Sequence, residues 1–221
     1  MVRRFHEELH ELKQKLITMS RLAEYTIQNA VEGLFKRNPH FAELVFAKEK
    51  VVNLMEIEID DIGHSLMALA QPVAADLRML TTILKININL ERIADHAVNI
   101  AERVLLILNE PEWEIELPIP QMAVNVQHIL KDAVESFIQE NVDLAQSVLR
   151  RDDEVDDYNN SIYHQIEELI QNHPTFTKTG MKLVRIGHDL ERIGDLANNI
   201  AEDVVYMKQG KEVRHHVTGP I

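Results

Sequence analysis

The sequence predicts an all-α protein made of two tandem, internally repeated three-helix bundles with long antiparallel helices. Three observations carry that reading. The stretch Leu90-Glu91-Arg92-Ile93-Ala94-Asp95, followed by Asn99-Ile100-Ala101-Glu102, returns one hundred positions later as Leu190-Glu191-Arg192-Ile193-Gly194-Asp195 and Asn199-Ile200-Ala201-Glu202. A copy this close, late in each half, makes the chain two repeats of one unit. Apolar residues recur at helical spacing, as in Ile86, Leu90, Ile93, Ala97, Ile100 and Val104, and no strand-like alternation appears. Gly and Pro, seven of each in 221 residues, fall mostly where that periodicity breaks.

Taken in order, residues 2–36 carry helical periodicity through Phe5, Leu9, Leu12, Leu16, Met19 and Ala23, fading near Gly33. Asn38-Pro39 reads as an N-cap followed by proline at the first helical position, where its missing N–H is no loss. The second helix is expected over 39–69, with Gln71-Pro72 as its break, and the third over 73–108. The proline-dense stretch from Glu110 to Pro120 links the halves and divides the chain into domains 1–112 and 113–221. A fourth helix over 121–139 ends before Asn141, which is placed as Asn38 is in the first half. The fifth is expected as one piece over 142–171, broken by Asn172-His173-Pro174. The sixth spans 179–208, with Gly210 as the C′ residue and 211–221 as a polar tail. Helices of about 30 residues are roughly 45 Å long.

Composition narrows the function classes. A hydrophobic share of 45% beside 27% charged residues is that of an ordinary soluble protein. No run of 18 apolar residues and no basic-plus-apolar leader occur, so no membrane span and no signal peptide are expected. The absence of cysteine excludes disulfides and thiolate metal sites and fits a cytoplasmic location. A net charge of −13 argues against nucleic acid and for cations or basic protein surfaces as partners.

The acids of the repeat are not needed by the core. Glu91, Asp95, Asn99 and Glu102 fall opposite the apolar stripe, as do Glu191, Asp195, Asn199 and Glu202. The second helix carries Glu49, Asn53, Glu56 and Asp60 along one face, and the fifth carries Asp152, Asp156 and Asn159. Each pair lies about 20 residues from its hairpin turn, so antiparallel packing sets the pairs level, about 30 Å from the turn. Two clusters follow: Glu49, Asn53, Glu91 and Asp95 in the first half, and Asp152, Asp156, Glu191 and Asp195 in the second. A solvated face normally interleaves Lys with Glu, because like charges four apart repel. These faces avoid Lys. Carboxylate and amide oxygens are hard donors suited to Mg²⁺, Ca²⁺, Mn²⁺ or iron. Counting charges, the second cluster is expected to bind more tightly, since Asn53 leaves the first with three carboxylates.

Other features read as structural. Arg185, Asp189 and Arg192 are spaced for ion pairing along one helix, and His96 is expected to be solvated. Glu7-x-x-His10 has di-iron spacing but occurs once, whereas bundle di-iron sites use two such motifs. Trp113 is expected to pack against a bundle, and His215-His216 lies in the tail. No phosphate-cradling glycine loop, Gly-x-Ser-x-Gly elbow or cysteine nucleophile is present, so no catalytic apparatus is expected.

The motif Glu91-Arg92-Ile93-Ala94-Asp95-His96-Ala97-Val98-Asn99-Ile100-Ala101-Glu102, its second copy and Gln71-Pro72-Val73-Ala74-Ala75-Asp76-Leu77-Arg78 resemble the PhoU family. The resemblance covers nearly the whole chain. It implies acid-x-x-x-acid motifs that hold multinuclear iron or zinc clusters, here Glu49, Glu91, Asp95, Asp152, Asp156, Glu191 and Asp195. Asn53 departs from the all-acid pattern, though an amide oxygen can still coordinate. The resemblance further implies a non-catalytic adaptor between a phosphate transporter's ATPase subunit and a membrane sensor histidine kinase, restraining phosphate-starvation signalling. A homodimer is expected, with no nucleic-acid partner. A carboxylate-bridged metalloenzyme, redox or hydrolytic, and a pure acidic-faced scaffold remain the alternatives.

Overall fold

The computed structural model describes residues 2–112 and 116–210. Trp113 and His215-His216 lie outside the described residues. The first half comprises α1 (Val2–Phe35), α2 (His40–Ala70) and α3 (Ala74–Ile107). The second comprises α4 (Ile119–Ile138), α5 (Val142–Leu149), α6 (Asp152–Asn172), a 3₁₀ turn (Pro174–Phe176) and α7 (Thr177–Gln209). No strand occurs among the described residues.

The expected caps form. Asn38 Oδ1 accepts from the His40 N–H at 3.0 Å, while Pro39 already has helical dihedrals. Asn141 Oδ1 accepts from the Leu144 N–H at 3.1 Å. Gly210, at φ 65°, donates its N–H to the Tyr206 carbonyl at 2.8 Å. Losing a cap of this kind costs about 1 kcal/mol. Asn141→Ala is therefore expected to lower the unfolding free energy by about 1 kcal/mol, read as a lower denaturation midpoint at an unchanged m-value.

The fifth helix is not continuous. It breaks at Arg150-Arg151 into α5 and α6, so the described residues hold seven α-helices rather than six. Asp152, Asp153 and Glu154 make the first turn of α6. Asp is poor in helix interiors, and acids are favoured at N-termini, where they face the positive end of the macrodipole. Arg151 Nη2 also donates to Asp132 Oδ2 of α4 at 2.7 Å, which holds the corner in place.

One continuous core runs through both halves, from Leu12, Leu16 and Ile59 to Phe137, Ile162 and Ile193. Its spine is α3 packed on α7. Arg78 Nε donates to the Met207 carbonyl at 3.0 Å, Lys85 Nζ reaches Asp203 at 2.9 Å, and Lys182 Nζ reaches Glu110 at 3.0 Å, so the two helices run antiparallel. Two expectations change at this seam. Asp189 pairs not along its own helix with Arg185 and Arg192 but across the seam, with Arg103 at 2.5 Å and His96 at 2.9 Å. His96 is therefore half-buried in an ion-pair network rather than solvated. The reason is tertiary: only the docking of α3 on α7 decides which charges meet.

Candidate metal centre

In the first bundle the antiparallel α2–α3 pair is held in register by Asn87, whose Nδ2 donates to the Glu56 carbonyl at 2.9 Å. This brings the acidic rows face to face. Burial raises the Glu91 carboxyl above the usual range, and Asp95, Glu56 and Glu49 raise it further against the opposing Arg92. Burial likewise raises Asp95, helped by Glu49 and opposed by His96. Asn53 Nδ2 donates to Glu49 Oε1, which leaves the buried Asn53 Oδ1 with no hydrogen-bond partner.

The second bundle repeats the arrangement between α6 and α7. Burial raises Asp152, and Asp195, Asp153 and Glu191 add to the shift. Asp156 is raised by burial and then by Asp152 and Glu191. Asp195 is raised by burial, with Arg192 opposing and Glu191 and Asp156 reinforcing. Asn159 Nδ2 donates to Glu191 Oε2 at 2.7 Å, and His188 Nδ1 lies 3.1 Å from the same oxygen. Arg192 donates to Asp195 Oδ2 at 2.7 Å. Asn198 Nδ2 donates to Asp152 Oδ1, and the buried Asn198 Oδ1 has no partner. Gly187 leaves room for Asn159, since a Cβ there would meet Asn159 Oδ1 at 2.9 Å.

All eight expected residues thus fall into two groups, four per half. Glu56 belongs with them: it acts on Glu91 and holds the place that Asn159, bonded to Glu191, holds in the second half. It stands in the acidic row of α2 but one turn beyond the acid-x-x-x-acid spacing, so spacing alone passes over it. Asn198 and His188 also touch the second group; each lies three residues from a motif acid, at Asp195 and Glu191. Counted at matching positions, Glu56 gives each half four carboxylates, and Asp153 adds a further charge beside Asp152 and Asp156 in the second half. The first group has Asn53 and Glu56 where the second has Asp156 and Asn159: amide and acid simply exchange places.

The donor set suits a hard cation. It consists of carboxylates that repel one another, most of them half-buried and Asp95 and Asp156 exposed, each group carrying an amide whose oxygen is spare. Among the described residues, however, no three His, Asp or Glu side chains already converge closely enough to hold a metal ion. Filling a group would require side-chain rotation, with Arg192 released from Asp195.

The family model described as the PhoU domain matches residues 16–104 and 119–204, one match per half. The chain belongs to the PhoU family. A PhoU homolog from Aquifex aeolicus, a phosphate-specific transport system accessory protein, is 37% identical over 213 residues, covering 95% of each chain. The crystal structure of PhoU from Pseudomonas aeruginosa superposes with a TM-score of 0.90 at 31% identity, covering 94% of this chain and 100% of that one. The phosphate transport system regulatory protein PhoU from Streptococcus pneumoniae gives 0.86 at 29% identity, covering 95% and 99%. Each PhoU repeat contributes one of the two acidic groups. The PhoU-like stretch at residues 71–78 opens α3, where Arg78 secures the last turn of α7. No helix among the described residues is long and apolar enough to cross a membrane.

The raised carboxyls make a signed prediction. A raised folded-state pKa means that the native state holds its proton more tightly than the unfolded chain does. These groups therefore destabilise the fold as pH rises from the ordinary carboxylate range through the raised values. Glu140 is lowered by its bonds to Lys208 and Lys13, so its contribution is lost only as pH falls below that range. In chelator, Glu191→Gln with Asp195→Asn is expected to raise the melting temperature at pH 7 by about 1–4 °C. Loss of stability in that variant would make the acids structural partners.

Proposed function

We propose that this chain is a non-catalytic, metal-binding regulator of phosphate uptake that works by protein contact. Its two acidic groups hold metal cations, iron or zinc as the PhoU resemblance implies, with the hard cations Mg²⁺, Ca²⁺ or Mn²⁺ served by the same oxygens. Glu49, Asn53, Glu56, Glu91 and Asp95 would hold one centre, and Asp152, Asp156, Asn159, Glu191 and Asp195 the other. The observation that carries this reading is the duplication: two hairpins of different sequence each bring mutually repelling carboxylates level beside an unpartnered amide oxygen.

The adaptor bridges a phosphate transporter's ATPase subunit and a membrane sensor histidine kinase in the cytoplasm and restrains starvation signalling. Its accessory relatives support this role, and so does an acidic surface able to steer towards basic partner patches. It works as a homodimer, which sedimentation of the purified chain tests. Crosslinking in native membranes from phosphate-rich and phosphate-poor cells tests the adaptor role: capture of both partners supports it, and capture of neither refutes it. A phosphatase or kinase rate that is lost in Asp195→Asn would favour the metalloenzyme instead.

A further inference from the structure

The internal repeat supplies its own control for what the scaffold requires. Beside the acidic row of α2, Leu54 is 69% exposed and Ile57 56% exposed. Ile88 of α3, 41% exposed, lies near the level of Ile57 because Asn87 is tied to the Glu56 carbonyl. The corresponding positions of the second half carry Asp157, Asn160 and His188. The same scaffold thus accepts polar residues at these places, and packing does not require three apolar side chains in water. Clustered apolar side chains on a helix face mark an interaction surface.

The neighbouring charges select the occupant. Glu56 adjoins Ile57, Glu91 lies one turn from Ile88, and Glu49 and Asp95 continue the two acidic rows, against Lys50 and Arg92 on the same helices. We infer that this face of the first bundle, Leu54, Ile57 and Ile88 bordered by the acidic row, docks a basic amphipathic helix of a partner protein. Its apolar side covers the three side chains while its Lys or Arg groups reach the carboxylates. A second copy fits poorly, because a two-fold contact would set the acidic row against itself. An anionic bilayer is repelled by the same charge. The inference rests on the reading of the chain as a regulator acting by contact, and it needs no metal.

The probe is a fluorescent Lys/Leu peptide of about 18 residues, long enough for a helix, with Leu spaced for one apolar face. A scrambled isomer of equal charge serves as comparison, and both are titrated in chelator. Wild type is expected to bind the amphipathic peptide at least about tenfold more tightly than the isomer, and Leu54→Asn with Ile57→Asn is expected to abolish that preference. Asp157→Ser with Asn160→Ser should leave it unchanged. Equal binding of the two peptides overturns the inference, as does a preference that survives Leu54→Asn with Ile57→Asn. A wild-type dimer dissociated by those substitutions also overturns it, in favour of a self-contact. Vesicle binding lost in the same variant would do so in favour of a bilayer. Transporter or kinase crosslinking retained by this variant would remove the face while leaving the regulator reading intact.

Discussion

Asp189→Ala is expected to be among the most damaging single changes on the seam between the halves, lowering the melting temperature by about 4–12 °C. Asp189 is 5% exposed and takes both Arg103 and His96 of the other half. Removing one member of a buried pair strands the remaining charge and costs roughly 3–5 kcal/mol in a fully enclosed site. Arg103 and His96 keep some contact with water, which brings the cost nearer 2–3 kcal/mol. At the contact with Lys85, Asp203→Ala should cost less, since Lys85 is well enough exposed to be solvated alone. Adding Arg103→Leu to Asp189→Leu should recover most of the loss, because both charges then leave together. Calorimetric melting of the four variants checks this. A larger loss in Asp203→Ala than in Asp189→Ala would contradict the assignment of the seam.

Metal is expected to stabilise the fold in proportion to the number of acidic groups filled. A ligand at a hundred times its dissociation constant adds about 2.7 kcal/mol per site, which is roughly 5–11 °C for a chain of this size. Asp152→Asn with Asp195→Asn should remove the second increment and leave the first. The increment arises because clustered like charges destabilise the native state until a cation sits among them. High salt without the metal should reproduce little of it, since screening acts weakly on partly buried groups.

Much of this arrangement is legible in the sequence, and the exceptions share a cause. The level placement of the acids follows from two near-equal helix arms either side of Gln71-Pro72 and of His173-Pro174, because rise per residue is constant. Asn141 and Gly210 act locally, so their chemistry alone indicates their roles. The break between α5 and α6 carries neither Gly nor Pro; it depends on three acids collecting in one helical turn and on Arg151 reaching Asp132. The ion pairs of Asp189 and Asp203 depend on how α3 docks on α7, which no periodicity encodes. The fourth carboxylate of the first group is hidden for the same reason. Glu56 enters the first group only when Asn87 sets the α2–α3 register.

The most direct test of the central claim is calorimetric titration of Mn²⁺ into the metal-free chain and into Asp95→Asn, Asp195→Asn and the double variant. With the carboxylates balanced between the groups, each single variant should lose about half of the bound metal, and the two should do so with affinities within about tenfold of each other. The double variant should bind none. Undiminished binding by the double variant, at unchanged stoichiometry, would contradict the assignment of both acidic groups as metal centres.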